Sequence, residues 1–400
     1  MKYIIGQTRD QILLLPDCVD DLIGQDNPVR VIDAFIDSLN IDKLGFQRST
    51  PNATGRPSYN PRDLLKLYVY GYFNKIRSSR KLMSECTRNI ELFFLLNRLT
   101  PDFRTISDFR KGNSKAIKNV FRAFVKLCLK LDLYQKELLA IDGSKFRAVN
   151  SKSHSYNQDT LKNKLERIDE NITKYLSYMD EKDTSEQNNS EYTPEQIKAA
   201  IKELTERKEK YEDFLKELKE TGETQKLTTD PEARVMQSKD GFHCFYNVQT
   251  AVDKGSHLIA DYKVTNCCTD QGLLKEVSDS TREILETETL EIVADKGYES
   301  REYILNCIMI PPNPFNHSLD RKDNAQKKVV LRIREDKHKM KERMCLSEHP
   351  FGTVKWYHGA HYLLCKGKEK ATAELGLSFL AYNLKRAINM VGIDKLIAAM

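Results

Sequence analysis

The spacing of apolar residues changes period once along this chain, near residue 137. That change limits the possible architectures more than any other feature. Before it, the rhythm is helical. Val29, Ile32, Phe35, Ile36 and Leu39 follow the helix-start signal Asn27-Pro28. A second helix begins near Pro61 and carries Leu64, Leu65, Leu67, Tyr68 and Tyr72. An apolar segment from Ile90 to Leu99 is stopped by Pro101, and a fourth runs from about Ser107 to Leu133 with Phe109, Ile117, Val120, Phe121, Phe124, Val125 and Leu129 on its apolar side. After residue 137, short apolar runs take over. Glu137 to Asp142 (ELLAID) reads as a strand ending in a turn at Asp142-Gly143. Cys244 to Val252 and His257 to Val264 flank Asp253-Lys254-Gly255-Ser256, a hairpin loop. Asp270 to Glu288 reads as helix, Leu290 to Ala294 as a fourth strand, and Cys307 to Ile310 as a fifth, closed by Pro311-Pro312. The remainder is helical, with Leu375, Leu377, Phe379, Leu380, Leu384, Ile388 and Val391 as core. The expected class is mixed α+β: a helical N-terminal domain over residues 1–135, then a domain over 136–400 built on a mixed five-stranded sheet with crossover helices.

Between the first and second strands lies an interruption, about residues 156–224, with two heptad-like stretches. Leu161, Leu165, Ile168, Ile172, Tyr175 and Met179 form one. Ile197, Ile201, Leu204, Tyr211, Leu215 and Leu218 form the other, with Lys208 breaking one position. Thr193-Pro194-Glu195-Gln196 is a capping box with proline at the first helical position, and Asp180 to Glu191 reads as the connecting loop. The expectation is an antiparallel helical hairpin inserted into the sheet domain.

Composition narrows the partners. The net charge of +6 and the absence of any apolar run of membrane-spanning length fit a nucleic-acid partner and no membrane. Met1 to Gln11 carries no cationic stretch followed by an apolar one, so the cytoplasm is the expected compartment. Nine scattered cysteines with no CxxC pair read as reduced thiols rather than disulfides or a zinc site.

Two aspartates close apolar runs: Asp142 after LLAI and Asp295 after LEIVA, with Gly143 and Gly297 just beyond. Either alone is a common turn residue. The two together raise the prospect of a shared site, because a sheet holds the backbone while the loop opens the pocket. Glu348 is the best third carboxylate, with Glu342 and Glu374 as rivals; Lys355 follows it by two helical turns if the helix is continuous through Gly352. Carboxylate oxygens suit Mg²⁺, and two such ions can activate an oxygen nucleophile at a phosphodiester. Glu348 read blandly is a carboxylate facing a helix N-terminus. The basic segment Lys327 to Arg343 and the cationic stretch Lys75 to Lys81 suit a phosphate backbone or a solvated face, and Trp356 suits core or base stacking.

In order and together, these segments resemble the bacterial insertion-sequence transposases of the DDE type, whose catalytic domain has an RNase H-like fold. Ala140-Ile141-Asp142-Gly143-Ser144 is similar to the first catalytic segment and Ala294-Asp295-Lys296-Gly297-Tyr298 to the second. Glu348 with Lys355 fits the spacing of the third, and Ala381 to Arg386 resembles the closing helix. Asp230-Pro231-Glu232-Ala233-Arg234 and Tyr246-Asn247-Val248-Gln249 match recurrent segments between the aspartates. Arg77-Ser78-Ser79-Arg80 and Pro101 to Ser107 look like the helical domain that commonly precedes the catalytic one. Two departures stand out. Met344 occupies the place where the family often has arginine, and the 53 residues from Asp295 to Glu348 hold no cysteine-rich stretch.

The resemblance implies Asp142, Asp295 and Glu348 as catalytic residues and ligands of two Mg²⁺ ions, with Mn²⁺ able to substitute. It implies contacts to DNA from Lys355, Tyr298, Arg77, Arg80, Lys385 and Arg386. The partners would be the terminal inverted repeats of the element and target double-stranded DNA, engaged by a homodimer on paired ends at the nucleoid. Water would cut at the transposon end, and the freed 3′ hydroxyl would join to target DNA. The alternatives are an RNase H-fold nuclease that cuts without joining and a catalytically silent DNA-binding derivative.

Overall fold

The computed structural model describes residues 18–47, 58–184, 193–238, 240–287, 290–298, 345–346 and 348–400. The first helices are α1 (Pro28–Ser38), α2 (Ile41–Leu44), α3 (Pro61–Phe73), α4 (Ser79–Glu85), α5 (Ile90–Leu96), α6 (Phe103–Gly112) and α7 (Ser114–Lys130). Asn27 caps α1 by accepting from the Val29 N–H and donates to Glu91 of α5 at 2.8 Å, so one side chain both starts a helix and ties two together. α5 ends at Asn97, which takes the left-handed conformation, short of the expected Leu99. The long helix expected from Ser107 to Leu133 is two. Asn113 breaks it, donating to the Phe109 carbonyl at 2.9 Å and accepting from the Gln47 N–H at 2.6 Å.

Among the described residues, five strands form one sheet. They are β1 (Leu138–Arg147), β4 (Arg234–Ser238), β5 (Gly241–Asp253), β6 (Ile259–Thr265) and β7 (Glu291–Val293). β5 is central and long. β1 pairs with it antiparallel along one edge, from Leu139 opposite Asp253 to Arg147 opposite Phe245. Its other edge carries β4 along its first half and β6 along its second. β7 lies parallel to β1. β4 was not expected, and the strand predicted over 307–310 lies outside the described residues, as does the basic segment 327–343. β1 also runs five residues beyond Asp142, where a turn was expected; the length of β5 supplies ladder partners past Gly143.

Opposite residues of antiparallel strands share a face. Tyr262 of β6 stands opposite Thr250 of β5, which stands opposite Asp142. Tyr262 packs edge-on against Phe121 of α7 at 5.0 Å and beside Phe379 at 5.1 Å. Phe379 belongs to α11 (Lys368–Val391), which precedes α12 (Ile393–Ala398). Thus α7 and α11 cover the Asp142 face. α10 (Leu273–Leu285) covers the other, through Lys263–Glu276 and Ser280–Asp261 contacts. The buried core is continuous from α1 through the sheet to α12.

The interruption is a helical hairpin, α8 (Gln158–Thr184) and α9 (Pro194–Thr221), about 40 Å per arm at 1.5 Å per residue. Thr193 makes the expected capping box with Gln196. Residues 180–184, expected in the loop, continue α8. At the base, β2 (Ser155–Asn157) and β3 (Gln225–Leu227) pair antiparallel as a two-stranded clasp. Tyr156, Leu161 and Leu218 form a small core there, apart from the main one, with Tyr211, Phe214 and Leu215 against it.

Candidate active site

Asp142 lies where the edge of β1 opens. Leu138 to Ile141 are buried and Asp142 to Lys145 half-buried. β7 pairs only with Leu138 to Ala140. The register matters: Ala140 is level with Val293, and each strand's aspartate follows two residues later. Asp142 therefore lies within β1 two residues past the last β7 pair, and Asp295 lies two residues past the same pair, just beyond the end of β7. Asp142 Oδ1 accepts from the Gly143 N–H at 2.9 Å. Asp295 is exposed and opens a tight turn, Lys296–Tyr298, closed by the Tyr298 N–H on its carbonyl at 3.1 Å.

Glu348 lies in a helical stretch, residues 348–352, that widens into a π-helical turn, Thr353–Tyr357; residues 345–346 just before it are helical as well. This stretch packs on the Asp142 face. Phe351 meets Phe146 of β1 at 6.1 Å, and Phe146 alternates to the same side as Ser144 and Asp142. The π turn changes the helical phase, so Lys355 does not simply stand two regular turns above Glu348. Its Nζ donates to Ser144 Oγ at 2.6 Å and to the Lys145 carbonyl at 2.8 Å, above the Phe146 ring. Burial pushes the Lys355 ammonium down to about 8, against the opposing pull of the Asp142 charge. Glu348 is exposed. Among the described residues, no three His, Cys, Asp or Glu side chains gather closely enough to cage a metal. What Asp142, Asp295 and Glu348 present is oxygen donors, none of them buried. That donor set fits a hard cation that keeps several waters.

The other expected residues divide. Arg80 is exposed, over the Phe103 ring; Lys385 is half-buried over Phe73 and Tyr357; Arg386 donates to the Ser256 carbonyl. Two do not stand where DNA would meet them. Arg77 is 8 % exposed and its guanidinium is held by Glu374 and by the Gly359 and Tyr362 carbonyls. Tyr298 is 3 % exposed, its hydroxyl donating to Gln249. The Arg77 terminal nitrogens and the Tyr298 hydroxyl are thus engaged inside the protein. Glu374, a rival third carboxylate, is buried in the Arg77 pair and accepts the Leu364 and Cys365 N–H groups. Glu342 lies outside the described residues. Trp356, for which the sequence left core and base stacking open, is not core: it is 73 % exposed and stacks on His361 at 5.6 Å. The Asp230 to Arg234 segment anchors the start of α11: Asp230 accepts from the Gly367 N–H and Glu232 from the Lys368 N–H.

Sequence reasoning gave no role to Asp270, Asn247 or Gln249. Asp270 Oδ1 accepts from Asn247 Nδ2 at 2.7 Å and Gln249 Nε2 at 2.8 Å. The available signal was two amides at alternate positions of an apolar strand, both on one face and both needing partners if buried.

A carboxylate in β1, a second just past β7, and a helical stretch carrying a third carboxylate and a lysine form a donor set that metal-assisted phosphodiester chemistry can use. Family comparison goes further. Residues 17–112 match the transposase domain family (DUF772), and residues 220–384 match the transposase DDE domain family. The chain belongs to the insertion-sequence transposases of the DDE type, with the N-terminal domain that precedes the catalytic one. It is thus an enzyme of the nuclease and transposase type in a family that generally depends on divalent metal, and its mixed sheet is RNase H-like. The second match begins inside α9 and leaves β1, with Asp142, outside it. No curated protein and no solved structure matches the chain. Among the described residues, no helix is long and apolar enough to cross a membrane.

Proposed function

We propose that this transposase cuts DNA at the ends of its element and joins the freed ends to target DNA, with Asp142, Asp295 and Glu348 as the metal-holding carboxylates. The observation that supports this reading is the parallel register of β1 and β7, level at Ala140 and Val293, with one aspartate two residues beyond each. Two Mg²⁺ ions bound there, with Mn²⁺ able to replace them, would neutralise phosphate charge and lower the pKa of an attacking oxygen. The chain's own groups do the positioning. In this reading the β1–β7 pairing would set the spacing of the two aspartates, and the Phe351–Phe146 contact seats the helical stretch from which Glu348 would join them. Lys355, bonded to Ser144 and close enough to feel the Asp142 charge, would meet a phosphate oxygen next to the cut.

In the first reaction the oxygen of water bonds to phosphorus, and the 3′ oxygen of the element leaves and takes up a proton. In the second, that 3′ hydroxyl loses its proton and bonds to a target phosphorus, displacing the target's own 3′ oxygen. Both are in-line displacements, so one site serves both. Residues 1–135 would act as the DNA-binding helical domain and 136–400 as the catalytic domain, with the insertion at 156–224 as an accessory. Arg80, Lys385 and Arg386 would be the remaining contacts to double-stranded DNA, with two copies acting on paired ends.

The test supplies pre-cut ends. A transposase joins them to plasmid DNA in Mg²⁺. A nuclease of the same fold nicks substrate but yields no joined product, and a silent derivative does neither.

A further inference from the structure

A second polar cluster lies behind Asp142, on the opposite face of the sheet. Asn247 and Gln249 project there from β5, since Gln249 stands opposite Gly143 while Thr250 stands opposite Asp142. They are 2 % and 0 % exposed. Both side-chain amides donate to one oxygen of Asp270, and Gln249 also donates to Asn247 Oδ1 at 3.1 Å. The Gln249 carbonyl oxygen accepts from the Tyr298 hydroxyl. Tyr298 closes the turn that begins at Asp295. The second oxygen of Asp270 faces this same turn: a Cβ on Gly297 would lie 3.8 Å from Oδ2. On the β1 side, a Cβ on Gly143 would lie 2.8 Å from Oδ1 and 2.4 Å from Gln249 Nε2. One carboxylate thus touches the residue after the first aspartate and the turn that holds the second.

The chemistry of these groups gives the cluster a direction. A carboxylate only accepts, whereas an amide can present either its oxygen or its nitrogen. Asp270 compels Gln249 to turn its NH₂ inward, which leaves the carbonyl for Tyr298. Without Asp270, only the longer contact to Asn247 Oδ1 holds that orientation, and a flipped Gln249 amide would present its NH₂ to the Tyr298 oxygen and leave the Tyr298 O–H without this acceptor.

We propose that Asp270 is a positioning residue of the active site: through Gln249 and Tyr298 it fixes the turn carrying Asp295 against β1. This rests on the reading of Asp142 and Asp295 as the catalytic pair. Asp270 acts as a hydrogen-bond acceptor, so its charge is not what the site uses.

The experiment compares full-length wild type, Asp270→Ala, Asp270→Asn and Tyr298→Phe by two readouts: amide hydrogen exchange of the metal-free protein, and Mn²⁺ titration of metal binding and of cleavage. In Asp270→Ala the amides of residues 296–298 should exchange about tenfold faster, the loss of about one net hydrogen bond, with β5 and β6 unchanged. The Mn²⁺ needed for half-maximal binding and cleavage should rise by a similar factor. Tyr298→Phe should reproduce both effects, and it carries the test if Asp270→Ala does not fold. Combining the two should add nothing, because they break one chain of contacts. Asp270→Asn keeps an acceptor and should stay near wild type. Unchanged exchange in the turn, multiplying effects in the double variant, or an Asp270→Asn as damaging to Mn²⁺ binding as Asp142→Asn would each overturn the proposal. If instead Asp142→Asn and Asp295→Asn bind Mn²⁺ and cleave normally while Asp270→Ala still loosens the turn, the catalytic pair is misassigned and the relay stands.

Discussion

Arg77 and Glu374, 297 residues apart in the chain, meet at 2.6 Å in an ion pair buried from solvent. Arg77 precedes α4 and Glu374 lies in α11, so the pair fastens the first helices to the helix that lines the sheet. The pair also satisfies backbone groups around it: the Tyr362 carbonyl accepts from Arg77, and the Leu364 and Cys365 N–H groups donate to Glu374. Removing one partner leaves a buried charge uncompensated, at about 3–5 kcal/mol. Arg77→Met should lower the urea midpoint by a corresponding amount. A variant with wild-type stability and weakened DNA binding would instead mark Arg77 as a surface contact.

Asp142→Asn, Asp295→Asn and Glu348→Gln should each abolish cleavage while leaving DNA affinity nearly intact. Metal ligation needs the charged oxygens, whereas phosphate contacts come from cationic groups elsewhere. Nicking assays beside gel-shift titrations check this; robust Mg²⁺-dependent cutting by any one variant removes that residue from the site.

Gly143→Ala should cost stability as well as activity. Its φ is ordinary, so the objection is space alone: the new methyl would sit 2.4 Å from Gln249 Nε2 and 2.8 Å from Asp270 Oδ1. Both atoms are held by other partners, so overpacking of about 1–3 kcal/mol is expected. Thermal denaturation with a parallel cleavage assay measures it, and a variant as stable and active as wild type would show that the cluster yields easily.

Much of this fold was legible beforehand because its signals are local. Asn27-Pro28 and Thr193-Pro194 mark helix starts by capping chemistry that acts within four residues. Short apolar runs bounded by turn residues mark β5, β6 and β7 in the same way. What escaped depends on distant partners. Asp142-Gly143 looks like a turn until β5 continues opposite it. Arg77 looks like a surface cation within Arg-Ser-Ser-Arg until Glu374 is known to approach it. Asp270 carries no motif at all; its position depends on two amides and a tyrosine from other elements. β4 is only five residues long and pairs through the start of β5, too little pattern to read alone.

His358 should give the protein an acid-sensitive component. It is 3 % exposed, both ring nitrogens lack partners, and burial, with Lys385 and Lys75 nearby, pushes its pKa from 6.5 down to about 4. The neutral ring is therefore favoured in the folded protein. Between pH 6.5 and 4 the unfolded chain binds the proton and the folded one does not, so stability falls as pH falls, by roughly 3 kcal/mol in all. His358→Leu should flatten this part of the stability profile in urea melts from pH 7 to 4; an unchanged slope would locate the acid sensitivity elsewhere.

Replacing residues 160–221 with a short Gly/Ser linker should leave a cooperatively folding protein that still binds divalent metal but transposes poorly. The small core around Tyr156, Leu161 and Leu218 is separate from the main one, so its loss should leave the sheet intact. Circular dichroism melts and Mn²⁺ titration decide it: an insoluble or unfolded product means the hairpin is part of the structural core.

The clasp of β2 and β3 also bears on how fast the chain finds its fold. Arg147 must meet Phe245 across 98 residues before the central strand pair can close. The hairpin forms from contacts local to itself, and once β2 and β3 pair, the intervening chain is short-circuited at Asn157 and Gln225. About thirty residues then remain to be closed, which lowers the entropic barrier to β1–β5 pairing by about 1 kcal/mol. An element that reads as an interruption of the sheet thus shortens the search that builds it.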